Sequence, residues 1–243
     1  MKLVLFDIDG TLIYHISYGK QVGFPRFTYA IKKAYGIDVS FTNGYHGWTD
    51  KQIIRSAVPQ DLFPHDSFEA RWDRAKDALY EYAQKQSASG KTLYGIIPDA
   101  VQLVNLLYDD PRYTVGLLTG NIKKMAYWKL AHTGIPNIFS IGVFGDDADD
   151  RIALAQSVFE KVRKELHVDI QGSDITVIGD AIYDVRCGKA IGARTIAVST
   201  GHTTGIGGIH DSGLYIESLK QEHPDILVPS LMDKRVRDYF RIY

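Results

Sequence analysis

The chain has next to no cysteine, no excess of charge of either sign and no long apolar run. Cys187 is the single cysteine, so an internal disulfide is excluded and the composition suits a reducing, cytoplasmic location. The residue itself reads as a small core side chain rather than a nucleophile. The 28 Lys and Arg against 29 Asp and Glu give a formal charge of −1, which leaves no electrostatic footprint for nucleic acid or an anionic membrane surface and favours a small soluble ligand. The first apolar run is cut by Asp7 and Asp9, too early for the apolar region of a signal peptide, and no stretch approaches the length of a membrane span. Internal repeats and low-complexity tracts are also lacking.

What is there is ordinary globular material: 243 residues with 45% hydrophobic content, enough for a core domain carrying an inserted one. After about residue 95, short apolar runs alternate with helical patterns, the signature of a parallel sheet covered by helices on both faces. Strands are predicted at Lys2 to Phe6, Tyr113 to Thr119, Phe139 to Phe144, Ile175 to Gly179 and Thr195 to Ser199. Between Thr11 and about Gly95 the pattern turns helical, at Phe24 to Tyr35, Thr49 to Ala57 and Phe68 to Gln86, with no convincing core strand. Thr49-Asp50-Lys51-Gln52 fits a capping box opening the middle helix. That stretch is too long for a connection in a compact α/β domain, so it reads as a helical subdomain inserted after the first strand. The expected fold is α/β, a Rossmann-like doubly wound parallel sheet with an inserted helical subdomain. Residues 1–15 and 92–243 form the core and 16–91 the insert, with linkers near Ile13 to Gly19 and Ser87 to Tyr94. Pro98 opens a further helix that carries Val101, Val104 and Leu107 toward the sheet.

The most informative run is Lys2-Leu3-Val4-Leu5-Phe6-Asp7-Ile8-Asp9-Gly10-Thr11, an apolar strand ending in two carboxylates one residue apart. An ionised Asp is costly to desolvate without a partner, so this pair implies a cation, a hydrogen-bond nest or chemistry. An Asp-Gly turn with a side-chain cap is the plainer alternative. Thr119-Gly120-Asn121 ends a second strand and offers a hydroxyl and helix-start N–H groups to an anion, although Thr119 read alone is better taken as a helix cap. Gly179-Asp180-Ala181-Ile182-Tyr183-Asp184 ends a later strand with carboxylates four residues apart, which could simply favour a helix start.

Taken together and in order, these motifs resemble the haloacid dehalogenase superfamily, in its phosphatase branch with a helical (C1-type) cap, of the phosphoglycolate phosphatase kind. The resemblance implies that Asp7 is the nucleophile that forms an aspartyl-phosphate and Asp9 the acid, then the base. Thr119, with Gly120 and Asn121, would hold the phosphoryl group. Mg²⁺ would be held by Asp7, the main-chain carbonyl of Asp9 and Asp180, with Asp184 orienting the ion or its waters. The insert becomes a mobile cap that selects substrates, with Trp48, Thr49 and Lys51 as its candidates for touching the leaving group; Trp48 packed in the cap and Thr49 capping a helix is the plainer reading. His202-Thr203-Thr204-Gly205 is expected as a Gly-rich loop near the pocket, and Arg26 and Lys32 as solvated or core helix faces.

The third motif departs from the family pattern, which usually has Lys. Here Arg151 stands at the matching place, behind the acidic run Asp146 to Asp150, with Lys161 and Lys164 further along as substitutes. Arginine can bridge phosphate and carboxylate with a fixed fork where lysine is a point charge; pairing with the surrounding acids is the plainer alternative. The expected activity is hydrolysis of a small phosphorylated metabolite. A phosphomutase, which returns the phosphoryl group to the substrate, and a catalytically silent phosphate-binding module remain the rivals. A dehalogenase would need neither Asp9 nor the metal carboxylates.

Overall fold

The computed structural model describes residues 1–16, 24–41, 44–90, 92–200 and 212–242. Its centre is a six-stranded parallel sheet. The strands are β1 (Lys2–Phe6), β4 (Tyr113–Leu118), β5 (Ile141–Val143), β6 (Ile175–Gly179), β7 (Arg194–Val198) and β8 (Ile226–Val228), in the spatial order β5-β4-β1-β6-β7-β8. Counted along the chain within this sheet, that is the doubly wound order 3-2-1-4-5-6, whose topological switch lies between β1 and β6. β1 is buried on both faces, so it reads as a continuous apolar run rather than an alternating one.

The pleat divides the core. Val4 and Phe6 of β1 join Val115, Leu117, Ile178 and Ile196 on one face. There they pack beneath α4 (Pro98–Tyr108), α5 (Lys123–Thr133) and α10 (Lys234–Phe240). Leu3 and Leu5 point the other way, into a layer with Ile141, Val143, Ile175 and Val177. That layer is covered by α6 (Arg151–Gln156), α7 (Val158–Leu166) and α8 (Ile182–Ala190). Cys187 is one of its fully buried side chains, and burial pushes its thiol up to about 12, as suits an inert core residue. Of the residues expected to seat α4, Val104 and Leu107 are buried and Val101 is half-buried.

Helices α1 (Pro25–Tyr35), α2 (Asp50–Ala57) and α3 (His65–Ala88) form a separate apolar cluster around Phe27, Ile31, Ile54, Phe68, Trp72 and Leu79. This cluster reaches the α/β part through Ile122 and Met125 at the start of α5. The crossings into and out of the helical part differ from the loose linkers expected. β2 (Ile13–His15) and β3 (Tyr94–Ile96) pair antiparallel, with Tyr14 opposite Gly95 and His15 opposite Tyr94. Three residues a side are too few for a period-2 pattern to stand out in a sequence. Likewise α3 runs on through Ser87 and stops at Gly90, which takes a left-handed φ of 76°. The last sheet strand, β8, was also not foreseen, being three residues at an edge. Helix α9 (Ser212–Gln221) leads into it. The loop expected at His202 to Gly205 lies outside the described residues. None of the described helices is long and apolar enough to cross a membrane.

Candidate active site

β1 and β6 are neighbours, so the residues that follow them, Asp7 and Asp180, meet at the carboxyl edge of the sheet beside the switch point. The Asp7 N–H donates to Ile178 O at 2.9 Å, carrying the ladder one step beyond the strand. Gly10 has a φ of 84°, and a Cβ there would lie 2.3 Å from Asp180 Oδ2. Only glycine lets the β1 loop pass this close to the second carboxylate. Asp184, in the first turn of α8, accepts from the Ala181 N–H at 2.9 Å and turns its carboxylate toward the same place.

Asp7, Asp180 and Asp184 are all buried, and one carboxylate oxygen of each lies within 4.8 Å of the others. A set of hard oxygen donors at this spacing suits a divalent cation. Burial first, then the repulsion of Asp184, pushes the Asp7 carboxyl well above its ordinary range, against the pull of Arg151. Burial raises Asp184 as well, again opposed by Arg151. Arg151 pairs with two of these carboxylates and His46 with the third, Asp180, a crowding of buried acids that a bound cation would relieve.

Arg151 opens α6 and is 1% exposed. Its Nη2 pairs with Asp184 Oδ1, and its Nη1 stands 3.7 Å from Asp7 Oδ1. Nε and Nη1 have no hydrogen-bond partner in the protein. Its partners are thus the site carboxylates and not the acidic run before it. That run has its own work: Asp150 caps α6 through the N–H groups of Ile152 and Ala153, and Asp146 accepts from the Lys123 N–H. Lys161 is held by Asp147 at 2.6 Å and Lys164 is exposed, so neither reaches the carboxylates.

On the other side of Asp7, Thr119 and Asn121 follow β4. Asn121 Nδ2 donates to Asp9 Oδ2 at 2.6 Å and to Thr119 Oγ1 at 2.9 Å. Lys129, 1% exposed on α5, donates from Nζ to Asp9 Oδ2 and to Asn121 Oδ1, both at 2.6 Å. Burial would raise Asp9, but Lys129 and Arg26 outweigh it and hold the carboxyl below its ordinary value. Lys129 was not foreseen, although its place in the buried stripe Met125, Ala126, Lys129, Leu130 is the signal that could have found it.

The helical part supplies the roof. His46 Nε2 lies 3.2 Å from Asp180 Oδ2, and Thr11 Oγ1 donates to Asp180 Oδ1 at 3.0 Å. Burial pulls His46 down, and its hydrogen bond to Asp180 more than offsets this, leaving it raised. Thr49 is fully buried and forms the expected capping box with Gln52, while Trp48 packs edge-on against Tyr45 at 5.3 Å. Gly120 sits directly under the Trp48 carbonyl, where a Cβ would come within 2.3 Å of the oxygen. Lys51 points away from the carboxylates and bridges Asp149 at 2.5 Å and Glu69 at 3.0 Å. Lys32 is an exposed partner of Asp38. Arg26, half-buried, is nearer the core reading than the solvated one: its Nη2 donates to buried Asp50 at 3.1 Å, and it lies near enough to Asp9 to shift it.

The chain is similar to known proteins over most of its length. A profile of the haloacid dehalogenase-like hydrolases matches residues 1–192. A phosphoglycolate phosphatase of Nitrosococcus oceani is 18% identical over 238 residues, covering 96% of this chain and 94% of its own. One of Chromobacterium violaceum is 21% identical over 210 residues, covering 83% and 86%. Among solved structures, a Bacteroides vulgatus protein assigned by name to the β-phosphoglucomutases superposes with a TM-score of 0.59 at 20% identity, over 100% of this chain and 88% of that one. The chain belongs to the haloacid dehalogenase-like hydrolases.

Proposed function

We propose that the protein is a Mg²⁺-dependent phosphatase that hydrolyses a small phosphate monoester through an aspartyl-phosphate on Asp7, in a reducing, cytoplasmic setting. The observation that carries this reading is the meeting of Asp7, Asp180, Asp184 and Arg151 at the ends of β1 and β6, with Asp9 and Thr119 alongside. Asp7, Asp180, Asp184 and the Asp9 main-chain carbonyl would hold the ion. When bound, Mg²⁺ would neutralise charge on the phosphoryl oxygens and favour the ionised form of Asp7.

The chain's own groups account for the rest. An Asp7 oxygen attacks phosphorus, the bond to the leaving oxygen breaks, and Asp9 gives that oxygen a proton. Asp9 then takes a proton from water, whose oxygen attacks the phosphoryl group and frees Asp7. Lys129 and Arg26 favour the Asp9 carboxylate, the form that takes the proton in this second half, and the proton taken from water there is the one given to the leaving oxygen of the next turnover. Arg151, rigid and anchored on Asp184, faces the transferring oxygens together with the Thr119 hydroxyl, the N–H groups of Ile122 and Lys123 being held by Asp50 and Asp146. Residues 16–91 act as a cap over a core of residues 1–15 and 92–243, opening for product release. Names among the curated relatives make phosphoglycolate the first substrate to try. A mutase outcome is the second reading, favoured by the structural likeness to the β-phosphoglucomutase-type protein.

The test is a phosphate-release screen over small phosphomonoesters with and without Mg²⁺, using wild type and Asp7→Asn. Wild type should release phosphate in a metal-dependent way, and Asp7→Asn should fold and lose about 10³-fold or more, as for removal of a covalent nucleophile. Undiminished turnover by Asp7→Asn would remove the covalent mechanism, and isomerisation without phosphate release would select the mutase.

A further inference from the structure

Asp50 lies in the helical part, in the first turn of α2, yet its side chain is 4% exposed and most of its bonds leave that part. Its Oδ2 accepts from the Ile122 N–H at 3.0 Å, across the boundary, at the residue that caps α5. Its own N–H donates to the Gly120 carbonyl at 2.8 Å. Its Oδ1 accepts from Arg26 at 3.1 Å. Gly120 and Ile122 bracket Asn121 and follow Thr119, so both bonds to the α/β part grip the loop that presents the Thr119 hydroxyl to phosphate. The main-chain carbonyl of Trp48 presses on the same loop at Gly120.

An N–H at the start of a helix has no partner within the helix. Here the Ile122 N–H, at the N-cap of α5, takes its acceptor from the helical part, so that group keeps this partner only when the helical part is docked. Lys123, the next residue, takes Asp146 from the α/β part itself and does not depend on docking. The dependence therefore falls on Ile122, next to Asn121.

We propose that Asp50 is a positioning residue that couples docking of the helical cap to the shape of the Thr119–Ile122 phosphate loop, so that the loop is ordered for phosphate only when the cap is down. This rests on the phosphatase reading of that loop but not on which ester is cleaved. The coupling is reciprocal: whatever factor docking adds to phosphate affinity, phosphate adds to docking.

The experiment compares wild type, Asp50→Ala and Asp50→Asn, with inorganic phosphate as the probe by calorimetry and p-nitrophenyl phosphate for turnover. Asparagine keeps an oxygen to accept from Ile122, whereas alanine keeps none. Asp50→Ala should weaken phosphate binding and raise KM by about tenfold, the loss of one charge-assisted hydrogen bond, with a smaller change in kcat. Asp50→Asn should recover most of that. In wild type, amide exchange at Ile122 should slow by about the same tenfold at saturating phosphate, which needs no variant to fold. Phosphate affinity of Asp50→Ala equal to wild type would overturn the proposal, as would an Asn variant as weak as Ala or an Ile122 amide indifferent to phosphate. Wild type that binds phosphate in this Asp50-dependent way but hydrolyses no ester would leave the coupling standing and remove the phosphatase reading. Hydrolysis with Asp50-independent phosphate binding would do the opposite.

Discussion

Lys129 carries the sharpest residue-scale consequence, because it is a buried ammonium whose bonds are to Asp9 and Asn121. Lys129→Met keeps the stem and removes the charge. Breaking a buried pair costs about 3–5 kcal/mol and an exposed one well under 1, so with Asp9 28% exposed the expected loss is about 1–3 kcal/mol at neutral pH. Burial holds the Lys129 ammonium below its own ordinary value, far above neutral pH, so the sign in acid follows from Asp9, whose carboxyl the pair holds below its ordinary value. That stabilisation is present above the unfolded carboxylate range and fades as pH falls through the folded value. Denaturant melts should therefore show wild type and variant converging in acid, and the acid limb of the pH–rate profile should move to higher pH in the variant. The carboxylates and Arg151 were legible because short motifs fix them within a few residues of a strand end or helix start. Lys129 was not: its place in the apolar stripe of α5 marks it as facing inward but not which carboxylate it meets. It takes the packing of α5 against β4 and the Asp9 loop to show which.

At the scale of elements, α2 shows how local chemistry serves a distant site. Thr49 and Gln52 satisfy each other's N–H groups, and that box fixes the first turn from which Asp50 reaches Gly120 and Ile122. Thr49→Ala should cost about 1 kcal/mol in urea melts, the usual worth of such a cap. It should also weaken phosphate binding in the same direction as Asp50→Ala but by less, since the Asp50 side chain remains; a full loss of stability without any change in phosphate binding would separate the cap from the loop. The capping box was readable because its residues are four apart at most. The main strands and helices were readable too, from continuous apolar runs and a 3.6-residue period, with ends off by a few residues. β2, β3 and β8 escaped because each is three residues long and owes its existence to a partner strand remote in sequence.

For the whole molecule, the sheet order is what turns scattered acids into one centre: β1 and β6 are 169 residues apart at Thr11 and Asp180, yet their following loops touch through a hydrogen bond. Parallel sheets make such meetings at the carboxyl edge, and the order could be anticipated only as far as a switch point somewhere along it. The centre gathers Asp7, Asp180 and Asp184 against one guanidinium and the His46 imidazole, so the fold bears an electrostatic cost there that burial magnifies. A divalent cation that binds the folded state and not the unfolded chain should recover that cost as stability. At a concentration one hundred times its dissociation constant, Mg²⁺ should add about 2.7 kcal/mol, or about 5–10 °C in Tm for a chain of this size. Asp180→Asn removes one of the charged oxygens and should shrink the shift, while Lys161→Ala, whose ammonium sits on Asp147, should keep it. Thermal scans with Mg²⁺ and with chelator would decide it: equal shifts in wild type and Asp180→Asn would mean that the ion stabilises the protein somewhere other than between β1 and β6.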